Sequence, residues 1–421
     1  MSNPLHIEVC QKVDSLLSVE DLSKAVLDEL KNSSSFDLNE TILGKDCTHD
    51  ILKDHIDSIS FYRNNNELTA FQTIHANSND EDIRLHVYRL HEDEPATETI
   101  HDNDNNSDEL PVATHWVLPS SDFKGLWESL YYDSDLKENL LSFIETTILF
   151  ADCNVDPNII SWNRVILLHG PPGTGKTSLC KALAQKLAIR FSDRYSHFAL
   201  VEINSHSLFS KWFSESGKLV MKMFAEIKQL LENRDALVCI LIDEVESLAH
   251  ARKSSTSGTE PSDSIRVVNA LLTQLDQIKR YPNVLILTTS NVTEAIDLAF
   301  VDRADIKQFI GHPSEIAIYK IYHSCIKELI KARIIEVEAV HEISHLKING
   351  HEENSTTRHM SLKLLELSRE SVGLSGRALR KIPFLAHGLY LRTKTSTLSQ
   401  FLRAMHFAVT KHKEDALERH Y

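Results

Sequence analysis

The sequence predicts an α/β fold, in which a parallel sheet flanked by helices is preceded by a small α+β module and followed by a helical domain. From Pro111 onward, short continuous apolar runs alternate with stretches of helical spacing, which is typical of a parallel sheet buried on both faces. Beyond Pro313 the pattern is mostly helical. The composition, 42% hydrophobic and 25% charged over 421 residues, is that of a globular protein and excludes disorder throughout.

The first 90 residues indicate the small mixed module. Val19–Leu30 has apolar residues at helical spacing, which predicts a helix. Three further segments predict strands, namely Ile59–Tyr62, Thr69–Ile74 and Ile83–Leu90. The stretch Glu92–Glu109 follows with eight acidic residues and no Lys or Arg, so we expect a solvated linker there.

The acidic charge of the chain is concentrated near its start. Residues 1–110 hold 24 Asp and Glu but only eight Lys and Arg, whereas acids and bases nearly balance in the remainder. Such a segment repels phosphate backbones, so we expect no direct nucleic-acid partner. A basic protein surface and a merely solvated face both remain open as explanations.

The sequence gives no sign of a membrane-bound or disulfide-stabilised protein. No apolar run reaches the ~18 residues that a membrane span needs, so no membrane partner is expected. The opening MSNPLHIEVC lacks the charged-then-apolar layout of a signal peptide. The six cysteines are scattered without a CxxC pair, which argues against a disulfide framework or a cysteine zinc site.

A phosphate-binding loop follows the first buried strand of the predicted sheet. The buried runs are Arg164–His169, Phe198–Ile203, Leu237–Ile242 and Val284–Thr289. After the first of them the sequence reads GPPGTGKT and opens a predicted helix over Lys176–Ala188, which is the GxxxxGK[ST] pattern in its required context. Backbone N–H groups and the helix N-terminus would hold phosphates, with the Lys176 ammonium on the β- and γ-phosphates and the Thr177 hydroxyl on Mg²⁺. The predicted nucleotide contacts are Gly170, Pro171, Pro172, Gly173, Thr174, Gly175, Lys176, Thr177 and Ser178.

Two other buried strands end in polar residues that suit hydrolysis. Val238–Glu244 reads VCILIDE, so Asp243 would hold the Mg²⁺ shell and Glu244 would orient or polarise the attacking water. Thr288–Asn291 reads TTSN, and the Asn291 amide would contact the γ-phosphate or its water. The alternatives are that the DE pair caps the next helix and that the asparagine only shapes a turn.

With these motifs, several longer stretches resemble the AAA+ ATPases and, among them, the pachytene checkpoint family, whose animal member remodels HORMA-domain proteins. The stretches include KWFSESGKL (Lys211–Leu219), IRVVNALLTQLDQIK (Ile265–Lys279), EAIDLAFVDRADIKQ (Glu294–Gln308) and GLSGRALRKIPFLAHGLY (Gly373–Tyr390). The resemblance is strong over residues 111–415 and weak over 1–110.

The resemblance implies an AAA+ P-loop ATPase that assembles as a homo-hexamer and uses ATP and Mg²⁺. Its members convert closed HORMA-domain proteins to the open form in checkpoint and meiotic chromosome control, commonly with a closed HORMA-type adaptor. They act in nucleus and cytoplasm and are chromosome-associated in meiosis. The implied domains are an N-terminal substrate- and adaptor-recognition domain (1–100), an acidic linker (101–113), a large ATPase domain (114–312) and a helical lid (313–421).

The resemblance also assigns roles to individual residues. Arg377 in GLSGR matches the second sensor, a lid arginine that touches the γ-phosphate, although a helix-surface arginine is the plainer reading. Arg303 in VDRAD matches the arginine finger, where family members carry two arginines and this chain has one. Lys211, Trp212 and Phe213 match a pore loop that grips substrate, whereas a lone Trp more often packs into a core. His250–Asp263 matches the second pore loop, and adenine is expected near Leu126–Leu130.

Two other functions remain as alternatives. A nucleotide-switched assembly scaffold with slow ATP hydrolysis would need no aromatic pore residue. A zinc metalloprotease is suggested by His341–His345, which reads HEISH and on a helix could bind Zn²⁺ with Glu342 as general base. The chain has 22 His, so a match of this kind is expected by chance in about one such sequence in ten. We therefore interpret HEISH as a chance match.

Overall fold

The computed structural model describes residues 4–32, 36–37, 41–63, 73–74, 83–100, 110–205, 216–247, 263–291, 298–343 and 356–418. The chain divides into two compact units. The first comprises residues 1–127, 137–169 and 177–308, and the second comprises 128–136, 170–176 and 309–421. Within the described ranges, none of the helices combines the length and the apolar content that crossing a bilayer demands.

The N-terminal part of the first unit is a four-stranded sheet with two helices. The strands are β1 (Leu5–Gln11), β3 (Thr41–Leu43), β4 (Ile56–Arg63) and β6 (Ile83–Arg89), in the order β3-β4-β1-β6, beside a short pair of β2 (Phe36–Asp37) and β5 (Thr73–Ile74). Strand β1 runs antiparallel to β4 and parallel to β6. The helices are α1 (Val19–Asn32) and α2 (Asp50–His55), and their apolar side chains share one buried core with β1 and β4.

The sequence prediction for this module is largely confirmed. Helix α1 and strands β4 and β6 lie where the pattern placed them. Strand β1 was not predicted, although all seven of its residues are buried and it lies inside the sheet, between β4 and β6. Of the predicted strand Thr69–Ile74, only the last two residues lie within the described residues.

The large sheet of the first unit contains the four predicted buried runs. Strands β9 (Val165–His169), β10 (His197–Asn204), β11 (Ala236–Asp243) and β12 (Val284–Ser290) pair in parallel, in the order β9-β12-β11-β10. Strand β13 (Ile306–Phe309) flanks β9 at one edge. At the other edge β8 (Leu110–Leu118) runs antiparallel to β10, and β7 (Ala96–Ile100) runs antiparallel to β8. The predicted parallel sheet is therefore extended by an antiparallel edge.

This edge corrects the interpretation of Glu92–Glu109 as a solvated linker. Strand β7 occupies Ala96–Ile100, and β8 begins at Leu110, inside the range 101–113 that was assigned to the linker. Residues 101–109 lie outside the described residues. The strand could not be recognised from the acidic composition, because an edge strand needs few apolar residues. Its pairing also depends on β8, which lies further along the chain.

Helices alternate with these strands along the chain, namely α3 (Leu126–Ser129), α4 (Leu136–Asp152), α5 (Lys176–Arg190), α6 (Ser216–Glu232), α7 (Asp263–Ile278) and α8 (Leu298–Val301). Side chains of α6 and α7 such as Phe224 and Val268 pack in one cluster with Ile240 and Ile286 of the central strands. The alternation of β-runs with helices thus buries the sheet as the sequence predicted.

The second unit contains the predicted helical domain. Its helices are α9 (Glu315–Lys331), α10 (Thr356–Glu370), α11 (Gly376–Ala386) and α12 (Leu398–Glu418), with a π-helical turn at His387–Leu391 after α11. Tyr319, Tyr322 and Phe401 lie in its buried core. The side chains of Ser314 and Ser375 cap the N-termini of α9 and α11 by accepting backbone hydrogen bonds. The predicted fold class is confirmed.

Candidate nucleotide site

The GPPGTGKT loop has a backbone that only glycine adopts without strain. The φ angles of Gly170, Gly173 and Gly175 are 141°, 75° and 91°, all in the region that L side chains rarely occupy. A Cβ atom on Gly170 would lie 2.2 Å from the backbone oxygen of Ile310. The glycines of the motif are therefore required by the shape of the loop itself.

Lys176, the first residue of α5, folds its side chain back onto this loop. Its ammonium donates hydrogen bonds to the carbonyl oxygens of Gly170 at 2.9 Å and Pro171 at 2.8 Å. Only 4% of the residue is exposed. A buried positive charge next to a helix N-terminus favours an anionic group, so the loop suits the phosphates that the sequence predicted.

The second unit also brings Arg377 to the phosphate loop. The backbone N–H of Arg377 donates to the Gly173 oxygen at 3.0 Å. A Cβ atom on Gly173 would lie 2.9 Å from the Ser375 hydroxyl oxygen and 3.2 Å from Cβ of Arg377. The N-terminus of α11 therefore contacts the loop, and the exposed Arg377 side chain starts from that contact.

Tyr132 is a neighbour of the loop that sequence reasoning missed. Its hydroxyl donates to the Gly175 oxygen at 3.4 Å, and Leu130 Cδ2 lies 3.3 Å from where a Cβ of Gly175 would be. A tyrosine in a polar turn matches no motif, so nothing in the local sequence pointed to it. The adenine position near Leu126–Leu130 stays a prediction.

The first unit joins the two residues predicted to hold Mg²⁺. The Thr177 hydroxyl donates to Asp243 Oδ1 at 2.8 Å, although the residues are far apart in the chain. Asp243 is the last residue of β11 and Thr177 is the second residue of α5. A hydroxyl and a carboxylate oxygen are ligands that Mg²⁺ accepts, so this pair fits the metal.

Thr289 and Ser205 hold the end of β11 in place, and sequence reasoning missed both. The Thr289 hydroxyl donates to Asp243 Oδ1 and accepts the backbone N–H of Glu244 at 3.2 Å. The Ser205 hydroxyl donates to the Asp243 carbonyl oxygen. Both are at most 2% exposed. A threonine within the buried run VLILTTS was the available signal, because a hydroxyl buried in a strand needs polar partners.

Glu244 has an unusual backbone and contacts the predicted Asn291. Its φ of 57° lies in the left-handed region, which costs a residue other than glycine about 1–3 kcal/mol and is typical of functional sites. The Asn291 side-chain amide donates to Glu244 Oε1 at 3.2 Å. The structure therefore brings together Asp243, Glu244 and Asn291 at neighbouring strand ends, as predicted.

Arg303 is bound inside its own subunit. Its guanidinium donates to both carboxylate oxygens of Asp276, at 3.0 and 2.6 Å, and to the Ala299 carbonyl oxygen at 2.7 Å. Burial alone would raise the pKa of Asp276, but hydrogen bonds from Arg303 and Lys279 to its charged form lower it. Within the single chain, the predicted arginine finger Arg303 is thus bound to Asp276 of α7.

Other predicted residues lie wholly or partly outside the described residues. These are Lys211, Trp212 and Phe213 of the pore loop, and His250–Asp263 apart from Asp263. Of the HEISH motif, His341 and Glu342 are described and precede a helical residue rather than lying on a helix, whereas His345 is outside the described ranges. Glu342 forms an exposed ion pair with Lys327 at 3.5 Å. Among the described residues, no group of three His, Cys, Asp or Glu side chains could hold a metal ion.

Comparisons with known families cover most of the chain. A family model described as the TRIP13 N-terminal domain matches residues 1–93. The ATPase family associated with various cellular activities (AAA) matches 166–312, and the TRIP13-like AAA+ ATPase lid C-terminal domain matches 314–413. The pachytene checkpoint protein 2 homolog of chicken (Gallus gallus) is 52% identical over 98% of this chain and 94% of its own length.

The chain belongs to the pachytene checkpoint protein 2 (TRIP13) family of AAA+ ATPases. It is an ATPase, and its GPPGTGKT loop belongs to a nucleotide-binding domain. The solved structure of Caenorhabditis elegans PCH-2 is 36% identical and covers 98% of this chain and 100% of its own, with a TM-score of 0.78. A chain in the structure of an Escherichia coli HORMA–CdnC–Trip13 complex shares the fold at 17% identity and a TM-score of 0.51, covering 69% of this chain and 93% of its own.

Proposed function

We propose that this ATPase is a hexameric remodeller that uses ATP and Mg²⁺ to convert closed HORMA-domain proteins to the open form. The observation that carries the hydrolytic part is the contact of Thr177 and Asn291 with the adjacent carboxylates Asp243 and Glu244. The client class is supported by the family and by the HORMA component named in the E. coli complex. We infer the same domain boundaries and site roles as the sequence indicates, with six copies of the chain in a ring.

The residues of the site divide the work of hydrolysis among them. Thr177 and Asp243 would hold Mg²⁺, because they already place a hydroxyl and a carboxylate oxygen side by side. Glu244 would orient the attacking water and accept its proton, while Asn291 keeps one Glu244 oxygen fixed. Lys176 and Arg377 would stabilise phosphate charge. When bound, ATP supplies the phosphoanhydride bond whose cleavage drives the cycle.

The substrate-handling part of the proposal rests on the family and on charge. Lys211, Trp212 and Phe213 would line a central pore and grip an extended client by burial of apolar side chains. The acidic N-terminal module would receive a HORMA client together with a closed HORMA-type adaptor. We place this activity in the nucleus and cytoplasm and on meiotic chromosomes, in checkpoint control.

The pore-loop assignment is tested by Trp212→Ala. We expect retained hexamers, measurable ATPase activity and an unchanged melting temperature, but no conversion of a closed HORMA protein to its open form. The matched control is Trp127→Ala, because Trp127 is only 8% exposed. That control should lose about 3–5 kcal/mol of stability through the cavity it leaves. A Trp212→Ala protein that is destabilised like the control, or that converts its client normally, would remove the pore-loop role.

The arginine-finger assignment predicts that Arg303 acts across a subunit boundary. For that, its side chain has to exchange Asp276 for the neighbouring nucleotide. We expect Arg303→Ala to keep nucleotide affinity and lower turnover by about 10²-fold, the usual effect of losing one transition-state donor. Lys176→Ala should instead lose nucleotide affinity, because its ammonium lies in the phosphate loop.

Mixed rings test the trans role directly. Combining Arg303→Ala with Glu244→Gln subunits should restore part of the turnover, since some interfaces then carry both native groups. Failure to recover activity in rings shown to exchange subunits would mean that Arg303 serves only its ion pair with Asp276.

A further inference from the structure

The second acidic residue after β11, Glu246, has no role in the proposed mechanism. It lies two residues beyond Glu244 and is only 9% exposed. Its Oε1 atom accepts the backbone N–H of Asn291 at 3.0 Å, while the Asn291 side chain donates to Glu244 at 3.2 Å. Asn291, which directly follows β12, therefore makes two contacts. Its backbone is bound by Glu246, and its side-chain amide binds Glu244.

Keeping Glu246 at this position is energetically unfavourable. Its second carboxylate oxygen, Oε2, is buried and has no hydrogen-bond partner among the described residues. A buried carboxylate oxygen without a hydrogen-bond partner costs stability. An apolar side chain of similar size would avoid this penalty, so packing alone does not account for a hydrogen-bond acceptor at this position.

The local backbone explains how Glu246 reaches Asn291. The left-handed φ of 57° at Glu244 bends the chain directly after β11. The bend is fixed by hydrogen bonds from the backbone N–H of Val245 to the Thr289 oxygen at 2.9 Å and from the Ser247 hydroxyl to the Glu244 oxygen at 2.8 Å. Glu244 and Glu246 consequently contact the same residue, Asn291, from one tight turn.

We propose that Glu246 is a positioning residue for ATP hydrolysis. It fixes the main chain of Asn291, so that the Asn291 amide holds the Glu244 carboxylate in one orientation towards the attacking water. The inference rests on the proposed function, because it assumes that Glu244 activates the water. Glu246 makes no contact with nucleotide or water in this scheme and acts only through Asn291.

The test compares Glu246→Ala with Glu246→Gln in the full-length protein, by steady-state ATPase assays. Glu246→Ala removes the acceptor, and we expect kcat to fall by about 10²-fold with KM for ATP nearly unchanged, because only orientation is lost. Glu246→Gln keeps an acceptor oxygen and should restore kcat to within about threefold of the native value. Glu202→Ala, which removes a partly exposed acid paired with Lys181, is the control and should leave both parameters unchanged.

A double-mutant cycle separates positioning from general destabilisation. If Glu246 acts through Asn291, the double variant Glu246→Ala/Asn291→Ala should be no slower than Asn291→Ala alone. Additive losses in kcat, a loss that appears in KM, or no rescue by Glu246→Gln would each overturn the inference. The melting temperature of every variant is measured alongside, and a kcat loss that simply follows the melting temperature across the set also overturns it.

Failure of this inference can be told apart from failure of the proposed function. If Glu244→Gln and Asn291→Ala abolish turnover while Glu246→Ala retains it, only the positioning role is wrong. If Glu244→Gln itself retains turnover, the assignment of the water-activating carboxylate is wrong and the role of Glu246 falls with it.

Discussion

Glu244→Gln should bind ATP with native affinity and hydrolyse it about 10²- to 10⁴-fold more slowly. This is the usual loss of rate when a general base is removed. The substitution keeps the size of the side chain and can still accept the hydrogen bond from Asn291, whose length is 3.2 Å in the native protein. Asp243 and Thr177 keep their contact, so the proposed Mg²⁺ site is untouched. Only the ability to take a proton from water is removed.

The measurement is single-turnover hydrolysis together with equilibrium nucleotide binding. Glu202→Gln is the matched control, because it makes the same chemical change on neighbouring β10, where Glu202 pairs with Lys181 at 2.8 Å. We expect native turnover from that control and stable, client-bound rings from Glu244→Gln. Near-native hydrolysis by Glu244→Gln would exclude Glu244 as the catalytic carboxylate. It would favour the slow-hydrolysing assembly scaffold over the proposed remodeller.

The contacts at the strand ends of the candidate site were predictable because each of the residues involved belongs to a short local pattern that follows a strand. GPPGTGKT, VCILIDE and TTSN each follow a continuous apolar run, and parallel strands place their carboxyl ends at one edge of a sheet. The contacts of Asp243 with Thr177 and of Glu244 with Asn291 follow from that rule. No long-range information beyond the strand order was needed.

What could not be predicted depends on partners far away in the chain. Strands β7 and β8 form an antiparallel edge beside β10, and the acidic sequence before β8 gave no apolar alternation to reveal it. The ion pair of Arg303 with Asp276 joins α7 to the segment after α8. The sequence around either residue does not indicate that the other is close in space. Tyr132 likewise reaches Gly175 only through the fold.

The packing of the N-terminal module on α5 was also not predicted. Glu8 in the middle of β1 pairs with Lys186 at 2.6 Å and with Arg190 at 3.3 Å, near the C-terminal end of α5. Glu8 and Lys186 are 4% and 2% exposed, and the Lys186 ammonium also lies 3.4 Å from the centre of the Tyr62 ring. The helix that begins at the phosphate loop thus ends in a buried ionic contact with the module.

Two histidines beside this contact make the stability of the N-terminal module sensitive to acid. His6 Nδ1 lies 3.0 Å from His86 Nε2, and the rings stack. Burial, followed by the charge of Arg190, lowers the pKa of His6 from 6.5 to about 3, and burial lowers the pKa of His86 as well. The unfolded module would therefore bind protons that the folded one does not, so stability is full above pH 6.5 and is lost as the pH falls towards 3.

Glu8→Ala should strongly destabilise the N-terminal module. It leaves Lys186 and Arg190 buried without their anion, and breaking a buried pair in this way costs about 3–5 kcal/mol. The matched control is Asp57→Ala, which removes the exposed pair of Asp57 with Lys124 and should cost no more than about 1 kcal/mol. Thermal melting and the hydrogen-exchange protection of β1 amides measure both variants at neutral pH.

Replacing Lys186 with Met in the Glu8→Ala background should recover part of the loss, because it removes the uncompensated charge. A Glu8→Ala protein that melts like the Asp57→Ala control would show that β1 is held by its apolar neighbours alone and that the ionic contact with α5 contributes nothing to the docking of the module.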